Sequence, residues 1–520
     1  MKNSAKSEII GAIDVGSHAL RMKIVEIKAK EEFKTLEMVR QPVSLGRDTF
    51  AMGKLSFETV NKTCNMLKGF KQLMTEYNIQ AYRAVATSAI REAGNRSYII
   101  DQIKLKTGLD IDVIDTSEER FLTYKAIRKR IQNDKVLREE GVMIVDIGSG
   151  SMQVSIYSHH CLTFSQNIKI GSLRVREMLS SLEGRTLNFS KILEEYIAGN
   201  IDRLKIFQAQ EEEVIKHFIA IGVGISTIAR LCNDTVYYGD LRYISREKFE
   251  AIYQEILYKS GYAIGKEYNI SLETADLLLP SMMIFKKFLD TTIAQGVIAP
   301  LISLTDGIIM DIADKKFHPK QEQAAVQDIV SSVRFLAKRY RYDQAHAEDV
   351  ERKSLMIFDA LKKLHGLGNR ERFLLQLSAI LHDIGKFINM TRHYIHSYEI
   401  IMASDLIGIT KDELEIIANV ARYHSKVVPA NDHPNFRKLS EKNRVAVAKL
   451  VAIIRIADGL DRSHRQKIKD IKITVNEKEI IIKVDALEDI VLEKWTVETK
   501  AEFFQEVFGI TPIVKVKRKR

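Results

Sequence analysis

The chain has 520 residues, of which 45% are apolar and 28% charged, a profile that excludes disordered, collagen-like and disulfide-stapled miniature architectures and leaves a multidomain globular protein. Lys and Arg outnumber Asp and Glu by 79 to 68, a net charge of +11, which draws polyanions: nucleic acid, polyphosphate or a highly phosphorylated nucleotide. No apolar run approaches the ~20 residues of a bilayer span. Asp14 interrupts the apolar stretch after Lys2 and Lys6, which argues against a secretory leader. The three scattered cysteines, Cys64, Cys161 and Cys232, suit a reducing compartment, so the expected location is cytoplasmic, without membrane association.

Residues 9–13 are a short apolar run, Asp14-Val15-Gly16-Ser17 is a turn signal, and in 20–27 Leu20, Met22 and Ile24 alternate with Arg21 and Lys23. That pattern predicts strand, turn, strand. Residues 84–90 predict a strand, 91–106 a helix, 110–114 a strand and 118–131 a helix, an α/β alternation. The opening phrase then returns, with 142–145 apolar, Asp146-Ile147-Gly148-Ser149-Gly150-Ser151 in a turn, and Met152, Val154 and Ile156 alternating with Gln153 and Ser155. This is an internal duplication. Residues 218–221 next predict a buried strand, Gly222-Val223-Gly224 a turn, and 226–231 a helix with Ser226 near its N-cap. Long amphipathic stretches at 321–339, 346–365, 370–388 and 443–456 predict a helical domain, and 469–475 with 479–484 a hairpin or two edge strands. The basic end, from Lys515 to Arg520, reads as a solvated tail before it reads as a guide for a polyanion.

A Gly-Ser turn between two strands aims backbone N–H groups and hydroxyls into one concavity, which holds phosphate oxygens without a bulky side chain in the way. Gly16 and Ser17 in the first copy, and Gly148, Ser149, Gly150 and Ser151 in the second, are therefore candidate phosphate-binding residues. Phosphate would repel the aspartate before each turn unless a divalent cation lay between, so Asp14 and Asp146 are candidate Mg2+ ligands. One such turn is ordinary strand chemistry; two in matching contexts are not.

The segments Ile13-Asp-Val-Gly-Ser17, Val85-Ala-Thr-Ser-Ala-Ile-Arg-Glu-Ala-Gly-Asn95, Ser117-Glu-Glu119, Val145-Asp-Ile-Gly-Ser-Gly-Ser151 and Ala220-Ile-Gly-Val-Gly224 together resemble the exopolyphosphatase / guanosine pentaphosphate phosphohydrolase (Ppx/GppA) family. The resemblance is strong over residues 8–310 and weaker toward the C-terminus. It implies an α/β protein of two actin-like (ribonuclease H-like) domains, expected at 1–130 and 131–315, followed by an all-α HD-type domain at 316–467 and a small α+β domain at 468–520. It also implies Mg2+-dependent hydrolysis of a terminal phosphoanhydride bond in the cleft between the first two domains. Glu119 matches the family's catalytic glutamate and would be the general base, and Arg91 matches its phosphate-binding arginine.

Inorganic polyphosphate, losing terminal orthophosphate, is the preferred substrate because the basic surplus favours the longer polyanion; guanosine pentaphosphate is the alternative. No nucleic-acid partner is expected, and the family's habit implies a homodimer. Four positions depart from the family pattern. His18, kept in the phosphate-binding set, stands where members carry Asn and is followed by Ala19; Ser149 replaces a glycine; Gln153 replaces a metal-binding glutamate; Phe121 replaces an arginine. Ser149, Gln153 and Phe121 motivate a third reading, a low-turnover sensor of polyphosphate or an alarmone. An ATP-dependent sugar kinase or chaperone, suggested only by Gly222-Val223-Gly224, ranks last.

His346, the pair His382-Asp383 and Asp458 occur in that order on predicted helices, the pair inside Leu377-Ser-Ala-Ile-Leu-His-Asp-Ile-Gly-Lys386. This resembles the HD phosphohydrolase family and implies a divalent metal bound by those four residues, with HD-site nucleotide hydrolysis as the rival activity. His396 and His424 extend the set toward two metals or a phosphate pocket, while His365, His393 and His433 read as surface or packing histidines.

Overall fold

The computed structural model describes residues 7–517 except 29–31, 159–160, 184, 187, 203–213, 234–236, 239–240 and 318. The chain packs as two compact units, Met1–Ile329 and Val330–Arg520.

In the first unit, β1 (Glu8–Val15) pairs antiparallel with β2 (Ala19–Lys28), and β2 with β3 (Glu32–Pro42). On the other side of β1, β4 (Ala81–Ala86) and β5 (Asp112–Val113) run parallel to it, giving the order β3-β2-β1-β4-β5. The second sheet repeats the plan. In it β6 (Gly141–Ile147), β7 (Met152–Ser158) and β8 (Cys161–Ile168) form the antiparallel meander, and β9 (Ile215–Gly222) runs parallel to β6. After β10 (Tyr237–Tyr238) and β11 (Leu241–Ser245), β12 (Gly296–Ala299) joins β9 in parallel. The series β8-β7-β6-β9-β12 thus matches the first sheet strand for strand, with β11 and β10 added at its edge.

Burial explains the strand assignments. β1 is buried continuously over its last six residues, as a central strand covered on both faces must be, whereas β2 keeps Arg21 and Lys23 off the core side. The helix Phe57–Glu76, N-capped by Ser56, lays Val60, Cys64, Leu67, Phe70 and Met74 on the first sheet at helical spacing. The two halves interlock through the helices that follow their last strands. Leu304–Phe317, after β12, packs Ile308, Ile309 and Ala313 on Ile10, Ala12 and Val25 of the first sheet. Thr116–Asn133, after β5, reaches the second sheet, where Arg120 Nη1 donates to Gln153 Oε1 at 2.7 Å.

Three elements differ from expectation. The strand predicted at 84–90 stops at Ala86, and Ser88–Glu92 is a helix that buries Ala89 and Ile90; an apolar run this short carries no periodicity to separate the two states. The helix predicted from residue 91 restarts at Arg96 after Ala93-Gly94-Asn95. Gly224, at φ +89°, occupies the N-cap of Ile225–Leu231, not Ser226.

The second unit is a bundle that includes Gln344–Ala360, Asn369–Leu381, His393–Ala403, Lys411–Tyr423 and Glu441–Gly459. The helix predicted across 370–388 ends at Leu381, and a 3-10 turn, Ile384–Phe387, follows. Its Gly385 is pressed so closely on the His393 carbonyl that a Cβ would stand 2.0 Å from that oxygen. β13 (Ile468–Val475) and β14 (Glu479–Ala486) form the predicted hairpin, and β15 (Thr511–Val516) adds in parallel after the helix Val491–Phe508. The basic end therefore begins as strand, with Lys515 opposite Lys483; residues 518–520 of the expected tail lie outside the described residues. Among the described residues no helix is long and apolar enough to cross a membrane.

Candidate active site

The two turns are copies at the level of single hydrogen bonds. Gly16 N donates to Ala19 O at 3.1 Å, and Gly148 N to Ser151 O at 2.8 Å. A Cβ on either glycine would stand 2.9 Å from that same acceptor oxygen, so glycine is required at both positions. The start of the next helix then pins each turn. Gly46 N donates to Ser17 O at 2.7 Å from Leu45–Met52, and Arg174 N to Ser149 O at 3.0 Å from Ser172–Glu183. The turns also touch each other's half. His18 Nδ1 and Ser149 Oγ are 2.9 Å apart, and a Cβ on Gly150 would stand 3.1 Å from Phe50 and Ser88. Ser88 Oγ in turn lies 2.9 Å from Ser17 Oγ.

Between them lies a cavity of about 520 Å3, lined by both turns, by Asp14, Glu119 and Asp146, and by Arg21, Lys23 and Arg40. Asp14 Oδ2 accepts from Arg21 Nη1 at 2.9 Å, while its Oδ1 is buried with no hydrogen-bond partner among the described residues. Burial raises the Asp14 pKa against the opposing pull of Arg21. Glu119 sits in the first turn of Thr116–Asn133, whose N-cap Asp115 accepts from Glu118 N. Its Oε2 accepts from Arg91 Nη1 at 3.0 Å. Burial raises its pKa as well, Arg91 opposes the rise, and Asp14 adds to it. Asp146 is pushed up to about 7, by burial and then by the charge of Glu119. Gly222, at φ +90°, lets β9 end against this carboxylate, since a Cβ there would stand 2.6 Å from Asp146 Oδ1.

The cations are organised by strand register. Arg21 and Arg40 are direct partners on β2 and β3, and burial followed by the charge of Arg21 holds the Arg40 guanidinium below its usual range. Burial, then Arg21 and Arg40, drive the His18 imidazole down to about 3, so it is neutral. The cavity thus combines carboxylates whose ionisation is resisted, which suits a base and a bound cation, with guanidinium and ammonium groups suited to anionic oxygens.

A family model described as the Ppx/GppA phosphatase family matches residues 23–316, and one described as Ppx/GppA phosphatase, domain III, matches 330–503. The chain belongs to the Ppx/GppA phosphatase family. Among curated relatives, a guanosine-5'-triphosphate,3'-diphosphate pyrophosphatase of Photobacterium profundum is 23% identical over 501 residues, covering 94% of this chain and 93% of its own. Among solved structures, an exopolyphosphatase from Cytophaga hutchinsonii is 18% identical with a TM-score of 0.52, covering 59% of this chain and 98% of its own. A Ppx/GppA family member from Aquifex aeolicus is 21% identical with a TM-score of 0.50, covering 60% and 100%. These likenesses establish the actin-like α/β fold of the first unit. Ppx/GppA members are phosphatases acting on phosphoanhydride bonds, so the chain is a hydrolase.

Within the Ppx/GppA frame, Asp14, Gly16, Ser17, His18, Glu119, Asp146, Gly148, Ser149, Gly150 and Ser151 all line one cavity. Arg91 does not line it. Its Nη1 donates to Glu119 and, at 2.9 Å, to the Ile114 carbonyl, so in this structure Arg91 holds the carboxylate. The cations that do face the cavity, Arg21, Lys23 and Arg40, were missed. Arg21 and Lys23 were visible only as the polar side of an alternating strand, and the charged edge strand carrying Arg40 was not predicted at all. Gln153 is also off the cavity wall, bonded to Arg120 and, at 3.1 Å, to Ser155 Oγ. Phe121 lies 5.3 Å beneath the Lys125 ammonium. His18 and Ser149, read as separate departures from the family pattern, are hydrogen-bond partners across the cleft.

In the second unit, His346, His382, Asp383, Asp458 and His424 converge in one buried cluster, with the half-buried His393 beside it. The inclusion of His393 corrects its reading as a packing residue. It starts the helix that follows the turn at Gly385, and its Nε2 is 3.2 Å from Asp383 Oδ1. His396 points elsewhere, to Glu399 at 3.2 Å. His365 is buried against the Phe358 carbonyl, and His433 pairs with the Tyr423 hydroxyl at 3.0 Å.

Proposed function

We propose that the cleft of the first unit removes the terminal phosphate of inorganic polyphosphate. Water attacks the end phosphorus, the bond from that phosphorus to the bridging oxygen breaks, and orthophosphate leaves a chain shorter by one unit. The observation that carries this reading is the convergence of Glu119 and both Gly-Ser turns in one cavity. Glu119 is the general base: burial raises its proton affinity, and Arg91 holds Oε2 so that the carboxylate keeps one orientation toward the attacking water. The turns and the Ser17 and Ser151 hydroxyls receive the terminal phosphate oxygens, and Arg21, Lys23 and Arg40 receive those of the phosphates that follow.

The carboxylates fit a divalent cation. Asp14 Oδ1 has no partner among the described residues, and Asp146 resists ionisation because it is buried and because Glu119 is near, which a bound cation would relieve. Asp14 and Asp146 would hold Mg2+, which when bound offsets the charge of the transferred phosphoryl group.

Phosphate release from long polyphosphate, guanosine pentaphosphate and ATP, measured in parallel with Mg2+, tests the reading. Polyphosphate is expected to give the highest kcat/KM, and Glu119→Gln to abolish turnover of all three. A higher kcat/KM for guanosine pentaphosphate would favour the second reading, hydrolysis of that nucleotide, for which the name of the Photobacterium relative speaks.

A further inference from the structure

The three cations on the cleft wall are not equally free. Arg21 and Arg40 stand opposite one another on β2 and β3, and Lys23 lies one step further along β2, opposite Met38. Two residues of an antiparallel strand advance by about 6.8 Å, roughly two phosphoryl units of a phosphoanhydride chain. A short chain whose end sits in the turns therefore meets Arg21 and Arg40, and only a longer one arrives at Lys23.

Lys23 is already occupied. Its Nζ donates to Asp306 Oδ1 at 2.5 Å, a residue 283 positions away in the chain, and the two side chains are only 18% and 25% exposed. Arg21 is paired as well, with Asp14 at 2.9 Å, but the other oxygen of Asp14 has no partner among the described residues and stays open to a cation. Asp306 has no open oxygen, since its Oδ2 accepts from Ser303 N at 2.8 Å and from Ser303 Oγ at 2.7 Å. Arg40 makes no ion pair among the described residues.

Asp306 belongs to the first turn of the helix Leu304–Phe317, where an acidic side chain that reaches back to the preceding N–H is ordinary helix-end chemistry. That role uses Oδ2 alone. Oδ1 is turned to Lys23 on the wall of the cavity that Asp306 itself lines. The segment that carries it there begins at Leu301, whose φ of +51° is a left-handed conformation costly for a bulky side chain. A phosphate arriving at Lys23 thus meets a carboxylate of like charge that cannot turn away without giving up its helix cap.

We propose that Asp306 is a specificity-determining residue of the cleft, a fixed carboxylate that competes with the phosphates of a long chain for Lys23 and so weakens the binding of long polyanions relative to short ones. The assignment rests on the polyphosphate reading of the cleft and adds to it a control of chain-length preference.

The measurement is the ratio of the KM for tripolyphosphate to the KM for long polyphosphate, taken on the full-length chain with Mg2+. Asp306→Asn keeps an oxygen for the Ser303 N–H and removes the competing charge, and it is expected to raise the ratio roughly fivefold. Lys23→Met, which leaves the helix cap whole, is expected to lower the ratio, because a long chain then faces Asp306 without its counter-charge. A purely structural role for Asp306 would alter both chain lengths alike and leave the ratio where it was. An unmoved or lowered ratio in Asp306→Asn would overturn the assignment, as would an unmoved ratio in Lys23→Met, which would show that long chains do not reach this pair. A wild type that releases no phosphate from either chain would overturn the polyphosphate reading, and this assignment with it; a wild type that turns over both, with the ratio unmoved by the variants, would overturn the role of Asp306 alone.

Discussion

The cleft of the first unit and the histidine cluster of the second both bury ionisable groups together, by different means. In the cleft, backbone turns bring the groups together, and the carboxylates arrive short of partners: Asp146 is pushed up to about 7, and Asp14 Oδ1 is left without a hydrogen bond among the described residues. In the cluster, four imidazoles are individually oriented through Nδ1, by the nearby carbonyls of Ala379, Ala421 and Met390 or by Asp461, and the burial of His382 lowers it to about 3, a neutral ring. The cleft invites a ligand that brings both negative phosphates and a positive ion. The cluster already carries cations of the chain's own, with Lys386 on Asp383 and Lys500 on Asp458. The same physical cost, desolvation of buried charge, is offset in the cleft in part by Arg21 and Arg91 and in the cluster by these lysines.

The largest expected effect tests the base. Glu119→Gln keeps the shape and the Arg91 contact but removes the proton acceptor, and kcat for phosphate release should fall by roughly 10²- to 10⁴-fold with little change in KM. A fall confined to KM would show that the carboxylate binds but does not catalyse.

Next comes Asp146, whose carboxyl has a pKa raised from 3.8 to about 7 by burial and then by Glu119. A carboxyl with a folded pKa above its unfolded value holds its proton more tightly when folded, so metal-free stability falls as pH climbs from about 4 to 7 and stays reduced above that. Asp146→Asn removes this loss. In EDTA the variant should be more stable than wild type at pH 8, by an amount on the order of 4 kcal/mol, and nearly equal to it at pH 4, as read by denaturant melts. Mg2+ should then stabilise the wild type more than the variant.

A smaller effect is expected at the contact between the turns. If the 2.9 Å bond between His18 and Ser149 latches the cleft, a double-mutant cycle with His18→Asn and Ser149→Gly should give a coupling of about 1 kcal/mol in KM-based binding energy. Additive effects would mean that the two residues act separately. The smallest belongs to Arg174, whose guanidinium reaches Glu92 at 2.6 Å across the two halves but at a partly exposed site. Glu92→Gln should cost no more than about 1 kcal/mol of stability, and the cost should shrink in high salt.

Much of the first unit was legible because its information is local and stated twice. Asp-x-Gly-Ser between alternating strands declares a turn by residue type alone, and its repetition from Val142 onward declares the duplication that the two sheets display. The short helix Ser88–Glu92 was not legible, because Ala84 to Ile90 is a short, mostly apolar stretch with no periodicity to choose between strand and helix, and only packing decides where the strand ends. Nor was β3, since its apolar residues Phe33, Leu36, Met38 and Val39 are irregularly spaced among Lys, Arg and Glu and give no clean alternation. In the second unit, the order His346, His382-Asp383, Asp458 was readable as a ligand set, whereas His393 was indistinguishable from a surface residue until the turn at Gly385 carried it back to Asp383.

Taken alone, the amino-acid order determined the features that depend on residue type and near neighbours: the twin turns, their flanking aspartates, Glu119 in the first turn of its helix, and the helical character beyond residue 320. Tertiary structure alone decided which distant side chains meet. It placed Arg91 against Glu119 and off the cavity wall, set Arg40 beside Arg21, joined His18 to Ser149, and brought His393 and His424 to the far oxygen of Asp383. Periodicity encodes which face of an element is buried, but contacts between elements far apart in the chain depend on register, crossing and closure, which emerge only when the apolar faces have found one another.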